Sequence, residues 1–175
     1  MLGSYDWFPK RWSLQRFTEE WTGLDDSPAR LYADDGVPAP VRITLGACDV
    51  RNIDLSSAIR FGLLTDRFKA GHKLKTAAYL MNNCVVLSFS DVIEDFRFSP
   101  HAELFIRRIQ RIDEIPAIMD ELEAVSPETL RAKLLAFKSE VASKLAWQRQ
   151  ADILARAVGE RIGTREFSLA QAVKP

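Results

Sequence analysis

The chain has 175 residues, 47% of them hydrophobic, which suits one domain with a full core and excludes overall disorder. Basic and acidic residues balance at 24 each, which argues against a dedicated nucleic-acid binder. No apolar run approaches the roughly 18 residues of a membrane span, and "MLGSYDWFPK" lacks the regions of a signal peptide.

"MLGSYDW" reads as the end of a strand whose first residues are missing. Pro9 then stands before a helical run in which Leu14, Phe17 and Trp21 recur at helical spacing, and Gly23 with "DDSP" stops it. "ARLYA" is a short strand, "DDGVPAP" is turn chemistry, "VRITLG" alternates as a strand does, and "CDVRNIDLSS" is loop-like. "AIRFGLL" is a further strand. "HKLKTAAYLMNN" predicts a helix with Leu74, Ala77, Ala78 and Met81 on one face. "CVVLSFS" is a continuous β-branched run of the kind buried on both faces of a parallel sheet. "ELFIRRI" reads as another strand.

Helices follow. Asp113 can cap "EIPAIMDELEAV", whose stripe is Ile115, Ile118, Met119 and Leu122. Ser126, Pro127 and Glu128 combine a cap, a first-turn proline and a favourable dipole charge. Leu130, Leu134, Phe137, Val141 and Leu145 continue that helix's apolar face, and "QADILARAVGERI" predicts a third helix.

Alternating strands and helices, then helices alone, predict a Rossmann-like three-layer α/β domain over residues 1–162. Its sheet is mostly parallel, it ends in C-terminal helices, and residues 163–175 form a tail. One stretch resists this pattern. No full crossover helix fits between "ARLYA" and "VRITLG", and a parallel return needs about a dozen residues. Either the two runs pair antiparallel or one of them is not a strand.

In a sheet of this kind ligands bind at the carboxyl ends of the strands. The loop 65–73 leaves "AIRFGLL" and enters a helix, and it carries Lys69, Gly71, His72 and Lys73. A helix start offers backbone N–H groups to a phosphate, glycine permits close approach, and the basic side chains add charge. The plainer reading is a solvated loop with a turn glycine. Neither Gly-x4-Gly-Lys-Ser/Thr nor Gly-x-Gly-x-x-Gly is present.

"AIRFGLLTDRFKAGHKLKTAAYLMNNCVVLS" resembles the donor-site segment of GT-B glycosyltransferases, where a strand runs into Phe-x-x-Gly-x-x-Leu-Lys, a helix and a "PVV"-type strand. Phe68, Gly71, Leu74, Lys75, Val85 and Val86 fall at the matching positions. "GSYDWFPKRWSLQRF" is similar to the opening of the same domain through Gly3, Ser4, Asp6, Trp7 and Pro9, with Lys10 in place of the usual Asn. "ELFIRRIQRIDEIPAIMDEL" resembles the terminal strand-helix-helix region. The chain departs from many retaining members at Ala78, where they carry the first Glu of a Glu-x7-Glu motif.

The resemblance implies the nucleotide-sugar-binding half of a glycosyltransferase. The nucleotide-sugar would be donor substrate, with no separate cofactor. An acceptor-binding N-terminal domain is not in this chain. The implied nucleotide-sugar and diphosphate contacts are Ser4, Trp7, Lys10, Lys69, Gly71, His72 and Lys73. No local sequence proposes a complete catalytic set. The alternative is a noncatalytic Rossmann-like binding or interaction module.

Other chemistry is thinner. Cys48 and Cys84 lack metal or disulfide-framework spacing and read as buried thiols in a reduced, cytoplasmic setting. His72 and His101 are the only histidines, too few and too far apart for a metal site. No Gly-x-Ser-x-Gly elbow is present. Arg107, Arg108 and Arg111 read as a solvated strand end rather than a nucleic-acid patch.

Overall fold

The computed structural model describes residues 6–22, 30–49, 60–69, 74–146 and 156. The chain divides into two compact units, Met1–Lys138 and Ser139–Pro175. In the second unit the described residues are the end of one helix, Ala146 and helical Arg156. Of the strand expected at "MLGSYDW", residues 1–5 lie outside the described residues and Asp6 and Trp7 form no strand; most of the helix expected at "QADILARAVGERI" and the tail 163–175 also lie outside them.

A three-stranded parallel sheet forms the centre of the first unit: β3 (Arg60–Leu64), β4 (Cys84–Ser88) and β5 (Ile106–Arg108), in that order. The "AIRFGLL" and "CVVLSFS" runs are neighbours in register, from Arg60 beside Cys84 to Leu64 beside Ser88. Val85, Val86, Leu87 and Ser88 are all buried although they point alternately to opposite faces. The sheet is therefore covered on both sides, as its unbroken apolar runs require. This is the Rossmann-like α/β arrangement, and it closes with helices.

Helix α1 (Phe8–Thr22) buries Leu14 and Phe17, as its spacing predicts. A second, two-stranded parallel sheet pairs β1 (Tyr32–Ala33) with β2 (Cys48–Asp49). Between them lies α2 (Ala39–Thr44), which corrects the expectation of a strand at "VRITLG". That run is the crossover itself, and residues 34–47 suffice for a parallel return. Alternation misled because Val41 and Leu45 also stand four apart, and Pro38 and Pro40 suit a helix start better than a strand. Cys48–Asp49, expected in a loop, becomes the return strand.

Helix α3 (Leu74–Met81) links β3 to β4 but buries Thr76, Tyr79 and Leu80, not the expected face. Leu74 is 74% exposed, and Ala78 and Met81 are also exposed. Asn83 then takes a left-handed turn at φ 60° into β4. "ELFIRRI" is only half strand. Its first part is α4 (Ala102–Phe105), where Phe105 stacks 5.9 Å from Phe137.

A 3-10 turn, Ile112–Glu114, leads into α5 (Ile115–Glu123), which buries Ile115, Ile118 and Leu122 and leaves Met119 half-buried. Asp113 is not the cap. The Glu114 carboxylate accepts the N–H groups of Gln110 and Arg111, at 3.2 and 3.0 Å, while Asp113 pairs with the Arg111 guanidinium. Helix α6 (Pro127–Leu145) starts as expected, with Ser126 Oγ accepting the Thr129 N–H at 3.2 Å. Phe137 and Val141 are buried on its apolar face. Among the described residues no helix is long and apolar enough to cross a membrane.

The thiols differ from expectation. Cys48 is exposed and Cys84 is half-buried, because each opens its strand at a rim rather than in the core. Burial pushes the Cys84 thiol up, and nearby Arg60 only partly offsets it. Since the folded value is raised, this contribution to stability is complete below the ordinary thiol range, about 8.5. It fades as pH climbs through the raised value. At neutral pH iodoacetamide should modify Cys48 well before Cys84, as mass spectrometry of the digested chain would read. In Cys84→Ala the alkaline loss of stability should shrink.

Candidate functional site: the carboxyl edge of the central sheet

Because β3, β4 and β5 run parallel and in register, their carboxyl ends share one edge. The exits are Thr65–Lys69, Phe89–Val92 and Ile109–Arg111. Pairing continues one step beyond β4: Phe89 N–H donates to Leu64 O at 3.4 Å and Ile109 N–H to Ser88 O at 2.9 Å. Thr65, Asp66, Ser88 and Ser90 are buried polar residues there. Ser88 Oγ donates to Ser90 O at 2.8 Å and accepts the Ser90 N–H at 3.2 Å, which fixes the turn out of β4.

Arg67 binds this edge to α1. Its N–H donates to Ser13 Oγ at 3.1 Å, and its guanidinium donates to Glu20 Oε1 at 2.6 Å. The guanidinium carbon lies 4.2 Å from the centre of the Phe89 ring, and Phe89 meets Phe17 edge-on at 6.3 Å. These contacts join α1, the β3 exit and the β4 exit. Ser13 is wholly buried, which accounts for a serine beside Leu14 in the helix's core stripe. Arg67 Nε, Glu20 Oε2 and Asp91 Oδ1 are buried without a hydrogen-bond partner. Such atoms cost about 1–3 kcal/mol each unless something completes them, and each calls for an explanation.

Lys69 Nζ stands 3.6 Å from Asp95 Oδ1, an ion pair between the β3 exit and the 3-10 turn Ile93–Phe96 that follows the β4 exit. Phe68 and Trp12 pair at 5.5 Å with their planes tilted by 45°.

Of the residues expected from sequence, Trp7 and Lys10 sit at the start of α1, and Lys69 at the end of the β3 exit. Trp7 is 54% exposed, so it is not a core aromatic. Lys10 is half-buried, with its N–H donating to Trp7 O at 3.0 Å. Ser4, Gly71, His72 and Lys73 lie outside the described residues. The two expected segments are joined by Trp12 to Phe68, Ser13 to Arg67 and Glu20 to Arg67. Phe68 had a signal, since it is a matching position of the resemblance. Arg67 had none, because its hydrogen-bond partners lie more than forty positions away.

Elsewhere, Arg107 is held by both oxygens of Glu121, at 2.8 and 2.5 Å. That hydrogen-bonded pairing lowers the Glu121 carboxyl and raises Arg107. His101 precedes α4, its N–H donating to Ser99 Oγ at 3.1 Å. Among the described residues no group of three or more His, Cys, Asp or Glu could hold a metal ion. A separate cavity of about 400 Å³ is lined by Trp21, Arg30, Leu31, Tyr32, Leu45, Gly46 and Cys48, beside β1 and β2.

Comparison with protein-family models, curated proteins and solved structures finds no match for this chain. The fold defines an α/β protein with a Rossmann-like parallel sheet.

Proposed function

We propose that the carboxyl edge of the central sheet binds a nucleoside diphosphate, and that the chain is the nucleotide-sugar-binding half of a GT-B-like glycosyltransferase. One observation carries the reading. The exit Thr65–Lys69 leaves a buried parallel strand at the edge where such sheets bind ligands, and α3 begins at Leu74, directly after the Gly71–Lys73 segment. Lys69 sits on that exit. Its 3.6 Å pair with Asp95 is long enough to be exchanged for a phosphate at modest cost. In this role the basic side chains hold the diphosphate and stabilise charge on the leaving nucleotide. The acceptor and its activating base belong to an N-terminal domain.

Isothermal titration with UDP, GDP, ADP and their sugars tests the reading. At least one should bind, and Lys73→Ala should weaken it about tenfold or more, the value of one charge-assisted hydrogen bond. Gly71→Val should weaken binding further by blocking approach. Unchanged affinity in both variants would reduce the loop to a solvated helix start.

A second reading is a noncatalytic binding module. It is favoured by the Lys69–Asp95 pair, which already meets that charge, and by Ala78, exposed on α3 where many retaining members carry a Glu. Absence of any nucleotide-dependent rise in melting temperature would favour it.

A further inference from the structure

We infer that Trp12 and Phe68 form a stacking platform for the planar base of the nucleotide, an inference that rests on the nucleotide reading of this edge. Trp12 belongs to α1 and Phe68 to the β3 exit, so the pair exists only in the folded chain. Both rings are large and apolar, yet they remain 40% and 50% exposed. Phe8, one turn before Trp12 on the same helix face, is 69% exposed. Core packing does not account for aromatic surface kept in water on two elements that meet.

Size selects the occupant. A fully buried aromatic side chain covers about 150–250 Å², so these three rings together offer on the order of 300 Å². A stable protein interface needs roughly 800 Å² from each partner. The patch is too small for that but matches a heteroaromatic base, which gains from any exposed aromatic face whatever its sequence. Phe68 and Lys69 are also consecutive. The proposal places a base against the first and phosphates on the second. A nucleotide has both parts; a free sugar or a lipid chain does not.

The test uses the full chain and three kinds of probe. Calorimetry is run with UDP, GDP and ADP, with the matching nucleosides, and with inorganic pyrophosphate. The substitutions are Trp12→Leu and Phe68→Leu, which keep the sites apolar and, being at exposed positions, leave the melting temperature nearly unchanged. Each should weaken the preferred nucleoside diphosphate by about five- to 150-fold, the span of base–aromatic stacking. Neither should change pyrophosphate affinity, and quenching of tryptophan fluorescence by the nucleotide should shrink in Trp12→Leu.

The outcomes separate the two claims. If pyrophosphate binds as tightly as every nucleoside diphosphate, or both variants keep wild-type nucleotide affinity, the platform is overturned and the diphosphate site survives. If a nucleoside binds through Trp12 and Phe68 while pyrophosphate does not bind, the platform stands and the diphosphate site falls. No binding of any probe overturns the platform and removes the diphosphate site as well.

Discussion

Gly62→Ala is expected to destabilise the chain severely, and Gly62→Val to prevent folding. A Cβ at Gly62 would stand 2.2 Å from Tyr79 Cγ and 2.5 and 2.6 Å from the two neighbouring ring carbons. No Cβ tolerates such contacts, and the obstacle is the root of a rigid ring, not the tip of a flexible chain. Tyr79 is buried, and its hydroxyl donates to the Leu63 carbonyl at 3.4 Å, so the ring is held from both ends. The next residue, Leu80, is fully buried, so α3 has no room to retreat.

Ordinary overpacking costs about 1–3 kcal/mol, and this case belongs at or above the upper end. Without the clash the sign would reverse, because alanine in a strand is entropically favoured over glycine. Urea denaturation of the single variants and of Gly62→Ala with Tyr79→Ala decides between the two. The double variant should be more stable than the sum of the singles by at least about 1 kcal/mol. Strict additivity would show that the ring is not the cause.

Arg67→Ala should cost about 2 kcal/mol and loosen the carboxyl edge. The substitution removes the N–H donors to Glu20 and the cation over Phe89, leaving a largely buried carboxylate without its partner. Breaking a fully buried pair costs about 3–5 kcal/mol. Here the side chains retain 22% and 29% exposure, so solvent takes up part of the loss. Combining Arg67→Met with Glu20→Gln removes both charges and should recover most of the stability. Hydrogen exchange at 65–69 should accelerate in Arg67→Ala and return towards wild type in the pair. A change under about 0.5 kcal/mol in Arg67→Ala, typical of a surface site, would mean that Arg67 does not clamp these elements.

The amino-acid sequence by itself determined the elements whose signal is local. The apolar runs at β3 and β4, the second of them β-branched, suit neighbouring strands of a parallel sheet. Leu14 and Phe17 could face the core only from a helix. Ser126 and Pro127 mark the start of α6 through hydrogen bonds made within one turn. Where two periodicities fit a short run, local signals could not choose. "VRITLG" satisfies both spacings, and its residues became the crossover because Tyr32–Ala33 and Cys48–Asp49 pair parallel.

Helix α3 shows the same limit on a face rather than an element. Leu74, Ala77, Ala78 and Met81 are as apolar as the residues that are buried. The choice fell to Tyr79 because Gly62, seventeen positions away on β3, leaves space for its ring. The candidate site divides in the same way. Lys69 was legible from its position after a strand, but its partner Asp95, the Arg67 clamp and the Trp12–Phe68 pair join residues distant in the chain. Only tertiary structure decides such contacts, because each depends on a neighbour that no local spacing can name.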